Sequence, residues 1–402
     1  MNSEFKSYKM GEILAIKHGF AFKGEYFDSE GHYILLTPGN FYEKGGFKFT
    51  PDKEKYYLGT FPKEYICSKG DLIVAMTEQA EGLLGSTALV PVDNIYLHNQ
   101  RVGLVTFDIK KVDKIFLYYL FRINSVRKQI RGSASGSKVK HTAPERIYDV
   151  KINLPHISIQ KKIADVLSAL DSKIDLNNRI NSELESMAKT LYDYWFVQFD
   201  FPDKNSKPYK SSGGRMVWNA ELKREIPVGW DSITINQILA KENTTIKIQT
   251  SEILLRGSIP VIDQSSDYIA GYTNVIEAKI QAGIPRIIFG DHTRILKLIN
   301  FDFARGADGT QIMISNNTRM PQFLFYHTLL KIDLSSYGYA RHFKFLKDFK
   351  IVLPDVKIAK TFNDFVFNFY ELIKHNIFEN HKLSSLREWL LPMLMNGQVK
   401  VN

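Results

Sequence analysis

Two stretches of the chain carry apolar residues at a seven-residue spacing. In residues 156–201, Ile163, Leu170, Asn177, Leu184 and Leu191 share one heptad position, and Val166, Lys173, Ile180, Met187 and Tyr194 fall three residues later. Shifting each position by 199 gives Phe362, Phe369, Asn376, Leu383 and Leu390, and then Phe365, Leu372, Glu379, Leu386 and Met393. No Gly or Pro interrupts 156–201 or 355–391. Ordinary core helices also carry apolar stripes. Five heptads kept in the same register in both halves predict instead a pair of long helices. At a rise of 1.5 Å per residue, roughly 40 residues make each about 60 Å long, which suits a spacer better than a compact core. Asn177 and Asn376 occupy the same seam position, and Asn181 and Asn380 match at the same offset. In an antiparallel pair Asn177 and Asn376 come to one level, where a buried polar pair fixes register at some cost in stability. The second helix is expected to stop near Asn396, with Gly397 as its C-cap. The tail Gln398–Val401 is read as a short strand.

The regions before the helices differ in kind. Gly31–Leu36, Asp71–Met76 and Arg286–Phe289 are short β-like runs bounded by turn residues. Each region closes with an aromatic helix candidate, FLYYLF at 116–121 and FLFYHTLL at 323–330. Each then reaches a similar phrase, YDVKINLP at 148–155 and KDFKIVLP at 347–354, again 199 residues apart. Residues 202–219 are rich in Pro, Ser, Gly and Lys and read as an exposed linker. The order is globule, helix, globule, helix, with boundaries expected at 1–155, 156–200, 201–354 and 355–402. The fold class is α+β: two mixed α/β domains separated by two long antiparallel coiled-coil helices, related by a pseudo-twofold repeat.

Composition places partners. The 402 residues carry a net charge of +10. The two helical segments together sum to +1, so +9 lies in the globules and the linker. A positive field away from the spacer favours an anionic partner, foremost nucleic acid. The one cysteine, Cys67, leaves no internal disulfide and points to a reducing compartment. No apolar run approaches the roughly 20 residues of a membrane span, and the N-terminus has no signal-peptide core. A cytoplasmic location is expected.

The motif search is largely empty. No two glycines stand two residues apart, which excludes G-x-G-x-x-G, and there is no P-loop, no Asn-Pro, no H-E-x-x-H and no G-x-S-x-G. No residue is assigned a catalytic or metal-binding role. One loose nuclease-like pattern, Asp203 with Glu221-Leu222-Lys223, straddles the linker. Candidate DNA-reading residues are polar groups on Gly-rich loops, because Arg and Lys fork onto guanine while Asn and Gln pair with adenine edges. In the first globule these are Thr77 and Gln79, then Asn99 and Arg101. In the second they are His292 and Thr293, then Arg305, Asp308, Thr310 and Gln311. Ordinary turns use the same residue types. Lys138, Lys140 and His141 in one half, and Arg341, His342 and Lys344 in the other, are candidate phosphate contacts or members of a solvated face.

The half-chain repeat, the phrase LPHISIQKKIADVLSALDSKIDLNNRINSELESMAKTLYDYWFVQFDFP at 154–202 and the ending KLSSLREWLLPMLMNGQVKV at 382–401 resemble type I restriction-modification specificity subunits. In the second globule IIFGDHT and FDFARGADGT are also similar to that family. The resemblance covers nearly the whole chain. It implies two target-recognition domains, each reading one half of a split double-stranded DNA target, and two helices that set the gap. It further implies docking of two methyltransferase subunits and of motor-nuclease restriction subunits. The chain itself would bind no cofactor directly, with S-adenosylmethionine, ATP and Mg held by those partners. The second helix departs from the pattern in carrying Ala359 where the first has Gln160. A stand-alone sequence-specific nuclease and a coiled-coil adaptor without DNA are the competing readings.

Overall fold

The computed structural model describes residues 5–78, 81–136, 140–242, 245–307, 309–338 and 341–401. It contains two compact units. One runs up to Ile174 and resumes at His381, and the other is Asp175–Asn380.

In the first unit β1 (Phe5–Lys9) pairs antiparallel with β12 (Lys151–Pro155), Tyr8 opposite Ile152. A four-stranded antiparallel sheet has the order β2 (Leu14–His18), β10 (Val102–Phe107), β6 (Leu72–Ala75), β8 (Thr87–Leu89). A second sheet has the order β3 (Phe27–Asp28), β5 (Tyr56–Tyr57), β4 (Tyr33–Leu35), β9 (Tyr96–Leu97), with β4 and β9 parallel. β7 (Thr77–Glu78) and β11 (Lys140–His141) form a short antiparallel ladder. The continuous apolar run at 72–76 reflects burial on both faces of β6. Leu72, Val74 and Met76 pack into the cluster that holds α1 (Lys114–Leu120), α2 (Asn124–Gly132) and α3 (Pro144–Tyr148), whereas Ile73 and Ala75 join Ile34, Leu36 and Phe41.

The second unit repeats these parts. β15 (Asp231–Thr234) pairs antiparallel with β23 (Lys350–Leu353), Ile233 opposite Ile351. One sheet has the order β17 (Gly271–Thr273), β16 (Ile259–Ile262), β21 (Phe303–Arg305), β18 (Lys279–Ile280), again with one parallel pair, β16 and β21. β19 (Arg286–Gly290) lies between β20 (Leu296–Ile299) and β22 (Thr310–Met313). The hairpin of β13 (Met216–Asn219) and β14 (Arg224–Pro227) takes up the end of the expected linker. α5 (Ile235–Ile238), α6 (Gln322–Leu329) and α7 (His342–Asp348) complete it.

β12 leads into α4 (Ile157–Tyr192), which ends in a π-helical turn at Asp193–Val197, and β23 leads into α8 (Val356–Met395). The two helices pack against each other antiparallel. In the first unit Ile163, Ala164 and Leu167 share a core with Leu391, Leu394 and Met395. In the second unit Ala188 and Tyr192 share one with Phe362 and Val366.

The seam differs from the expected one in half its positions. Ile163, Asn177 and Asn376 are buried as expected, but Met187 is 54% exposed and Phe365 55%. The second line of the seam runs four residues after the first, through Leu167, Ile174, Asn181, Ala188 and Trp195, and through Val366, Ile373, Asn380, Arg387 and Leu394. Within this line Leu167, Ala188, Trp195, Val366, Ile373 and Leu394 are buried. The heptad survives. The true line looked less apolar in the sequence because Asn181, Asn380 and Arg387 lie on it. Asn177 and Asn376 do not bond to each other. Asn177 Nδ2 donates to Asn380 Oδ1 (2.9 Å) and Asn376 Nδ2 to Asn181 Oδ1 (2.8 Å), two bonds related by the 199-residue repeat.

α8 ends as expected. Gly397 has φ +69°, with Gln398 N donating to Met393 O (2.8 Å) and Gly397 N to Leu394 O (3.2 Å), the backbone pattern that closes a helix on a left-handed residue. The expected strand at 398–401 does not form. Val399 and Val401 instead pack on the first unit's core.

Gln160 is a structural clamp. Its Oε1 accepts from Asp113 N (3.0 Å), and its Nε2 donates to Lys111 O and Pro155 O (both 2.9 Å), fixing the chain ahead of α1. The matching Ala359 is buried in the apolar core, and Asn363 Oδ1 accepts from Phe323 N at the start of α6 instead (3.2 Å).

A second pair of repeat-related positions, Asp171 and Tyr370, anchors the aromatic helices α1 and α6. Tyr119 Oη on α1 donates to Asp171 Oδ2 (2.6 Å), while Tyr370 Oη meets His327 Nε2 on α6 (2.9 Å). His327 is buried and stacks on Tyr192 with centroids 5.8 Å apart. Burial first, opposed by the Asp193 charge, pushes its pKa down to about 4. The folded protein therefore holds it neutral, while the unfolded chain protonates it near pH 6.5. Its stabilisation is full above that pH and is lost as pH falls toward 4. Stability should drop by about 2 kcal/mol between pH 7 and 5 from this residue alone. Urea midpoints at the two pH values check this. A His327→Gln variant with the same pH slope as the parent would refute the assignment.

Candidate nucleic-acid interface

In the first unit three separated segments meet where β6 ends. Met76 N donates to Arg101 O (3.2 Å), and Thr142 N donates to Met76 O (3.0 Å). The first bond extends the β6–β10 pairing, in which Ala75 lies opposite Val102. The second continues into the β7–β11 ladder, with Lys140 opposite Glu78 and His141 opposite Thr77. Asn99, Arg101, Thr77 and Lys140 are thereby brought together. Arg101, Gln100 and His141 are exposed, and Asn99 and Lys140 half-buried. Thr77 is buried, with Oγ1 3.2 Å from His141 Nδ1, so it supports the surface rather than forming it. His98 is buried with Nε2 against Val102 O (2.8 Å), and burial lowers its pKa. It therefore lies beneath the exposed surface and does not form part of it.

The loop that follows is anchored from α2. Glu78 Oε1 accepts from Gly82 N, and its other oxygen lies 3.7 Å from Arg131 Nε. Arg131 also pairs with Glu81 (2.8 Å). Arg127 donates to Glu43 O (2.8 Å) and to Gly82 O, and burial pushes its pKa down to about 10. Both arginines contribute to the net charge but are engaged by other groups of the protein, Arg127 in its interior and Arg131 at its surface.

The second unit builds the same junction where β19 ends. Asp291 N donates to Gly309 O (2.7 Å), and His342 N donates to Asp291 O (3.0 Å). Met76, Arg101 and Thr142 thus correspond to Asp291, Gly309 and His342. The Asp291 carboxylate adds a clamp, its Oδ1 accepting from Phe343 N at the start of α7 (2.8 Å). His292, Thr293, Arg341 and Lys344 are exposed, and Gln311 is half-buried. Arg294, in the left-handed region (φ +61°), donates to Leu334 O (3.1 Å). Two of the expected readers face inward. Thr310 is buried with its hydroxyl on Ala307 O (3.2 Å). Arg305 donates from Nε to Thr310 O (2.7 Å), and Nη2 reaches the same oxygen. Gln79, Lys138 and Asp308 lie outside the described residues.

Sequence reasoning missed Gln264, whose Oε1 accepts from His292 N (3.2 Å) and whose carbonyl accepts from Thr293 Oγ1 (2.8 Å). No local pattern marks it. It follows β16, well before the loop it holds. The nuclease-like pair is locally engaged. Asp203 caps its own turn through Asn205 N (2.7 Å) and Lys207 N (2.9 Å), and Glu221 pairs with Lys350 (2.9 Å). Among the described residues no group of three His, Cys, Asp or Glu could hold a metal ion, and no helix is long and apolar enough to cross a membrane.

Residues 2–186 match the family model of the type I restriction modification DNA specificity domain. The type I restriction enzyme MjaIX specificity subunit of Methanocaldococcus jannaschii is 26% identical over 309 residues, 71% of this chain and 69% of that protein. The MjaVIII specificity subunit of the same organism is 24% identical over 189 residues, 47% of this chain and 44% of its own length. The crystal structure of the type I restriction-modification system S subunit from M. genitalium shares the fold, with a TM-score of 0.58 at 16% identity over 98% of this chain and 97% of that one. The repeated junction and the paired helices thus stand in a chain whose residues 2–186 match the type I restriction modification DNA specificity domain and which is similar over most of its length to a type I restriction enzyme specificity subunit.

Proposed function

We propose that the chain is the non-catalytic reader of a bipartite DNA target, with each junction reading one half and the helix pair setting the gap. The observation that supports this most is the recurrence of one backbone junction in both units with different polar side chains. Asn99, Gln100, Arg101 and Lys140 stand at the first, and His292, Thr293, Arg341 and Lys344 at the second. One scaffold carrying two polar sets fits two unlike half-targets in double-stranded DNA.

The helices serve as spacer and as dock in this reading. The cross-bonded asparagines set their register. Exposed apolar side chains on them, Met187, Phe365, Leu372, Leu386 and Trp389, are surfaces for two methyltransferase subunits, with motor-nuclease subunits joining the assembly. S-adenosylmethionine, ATP and Mg belong to those partners.

The spacer is tested by lengthening it. Four residues inserted after Ile174 in α4 and four after Asn380 in α8 add about 6 Å to the pair. The methylated target should then open its gap by about two base pairs, at 3.4 Å per step along a strand. Mapping modified bases in cells that carry the system reads this directly. Modification at the original gap would reject the ruler.

A further inference from the structure

We propose that Gln100 reads an adenine in the first half-target and that His98 is the residue that positions it. The inference rests on the reading that this junction contacts DNA. Gln100 stands at the tip of a tight turn, in which Val102 N donates to Asn99 O (2.9 Å). It is exposed, and among the described residues no other group of the protein engages its side chain. The main chain of the turn is held at each step. Phe20 N donates to His98 O (2.9 Å), Gln100 N to Phe20 O (3.1 Å) and Met76 N to Arg101 O (3.2 Å). Gly19 lets the neighbouring segment come this close. A Cβ there would lie 2.2 Å from the Asn99 carbonyl carbon and 2.5 Å from His98 O.

His98 closes the turn from inside. It is 1% exposed, and its Nε2 lies 2.8 Å from Val102 O. A carbonyl only accepts, so Nε2 carries the proton and donates. The main-chain N of His98 donates to Tyr65 O (2.8 Å), and the two rings lie 6.2 Å apart between centroids. Nδ1 is buried with no hydrogen-bond partner among the described residues, so for burial alone an apolar side chain would serve better. What the imidazole adds is the bond from His98 to Val102, which spans Asn99, Gln100 and Arg101. Gln100 is thereby presented on a fixed main chain, as accurate placement of a reading group requires. An amide that both donates and accepts matches the N7 acceptor and N6 donor that adenine presents in the major groove. The cations Arg101 and Lys140 beside it are suited to phosphate.

The test uses the full chain assembled with its methyltransferase subunits and a library of targets randomised at each position. Q100A should relax discrimination at one position, by about five- to a hundredfold, with an unchanged salt slope. H98N, whose shorter amide cannot reach Val102 O, should relax the same position. H98Q sets an amide N–H near the place of Nε2 and should restore discrimination. R101A should instead weaken all sequences alike and lower the salt slope by about one. If Q100A relaxes a position and H98N does not, or if H98Q fails to restore it, the positioning role is overturned while reading by Gln100 stands. If H98N weakens all sequences equally, His98 only supports the fold and that role fails. If Q100A alters no position while R101A lowers the slope, the junction contacts DNA without reading through Gln100 and the proposal fails. If no variant changes affinity, slope or preference, the junction does not touch DNA and the underlying reading fails with it.

Discussion

Raising salt from about 50 to 200 mM should weaken DNA binding by the assembled enzyme between about 10² and 10⁵. The floor comes from side chains seen at the two junctions. Arg101, Lys140, Arg341 and Lys344 are exposed or half-buried cations there. Four phosphate contacts give about a hundredfold over that salt range, and six to ten give 10³–10⁵. The whole positive charge does not count toward this sum. Arg122, Arg127, Arg305, Arg319 and Arg387 are tied to carbonyls or carboxylates of the protein itself. A filter-binding titration across four salt concentrations measures the slope. An interaction indifferent to salt would favour the adaptor reading, because a coiled-coil adaptor has no counterions to release.

Asp171→Ala should cost about 3–5 kcal/mol of stability, the usual penalty for removing one member of a buried ionic group. Asp171 accepts from Tyr119 Oη (2.6 Å) and faces Arg122 Nη1 (3.5 Å) and Arg387 Nη1. The two arginine side chains are only 6% and 16% exposed. Arg122 also lies over the Tyr118 and Tyr119 rings and donates to Lys44 O (2.7 Å). Without the carboxylate two desolvated guanidiniums face each other with nothing between them. The network joins α1, α4 and the last turns of α8, so amide exchange across 381–395 should accelerate together with the fall in the urea midpoint. Asp171→Asn preserves an acceptor for Tyr119 and should cost less. A loss below about 1 kcal/mol for the alanine variant would mean that the guanidiniums find water, and the network would then count as a surface one.

Gln160 and Asp171 show why helix motifs are hard to assign from sequence. Gln160 belongs to the phrase that resembles the family, yet its three hydrogen bonds all go to neighbouring backbone. Its replacement by Ala359 in the second half changes how the start of α6 is held, through Asn363 instead. At the Asp171 position the halves solve one problem with different chemistry, a charged knot in one and a neutral His–Tyr pair in the other.

The sequence by itself determined the duplication, the two long helices, the aromatic α1 and α6, the C-cap at Gly397 and the polar level of the seam. Each is carried by residues a few positions apart, and helical periodicity projects such residues onto one face without further information. Tertiary structure alone decided which heptad line is buried, because Asn181, Asn380 and Arg387 are polar yet satisfied by partners on another element. It also decided which arginines face inward and how the repeated junction is built. Met76 and Asp291 are 215 residues apart, Arg101 and Gly309 208, and Thr142 and His342 200, since loops of unequal length separate equivalent strands. No single offset aligns them. The junction exists only once backbone N–H and C=O groups from distant segments find each other, a requirement of burial that leaves no mark on neighbouring side chains.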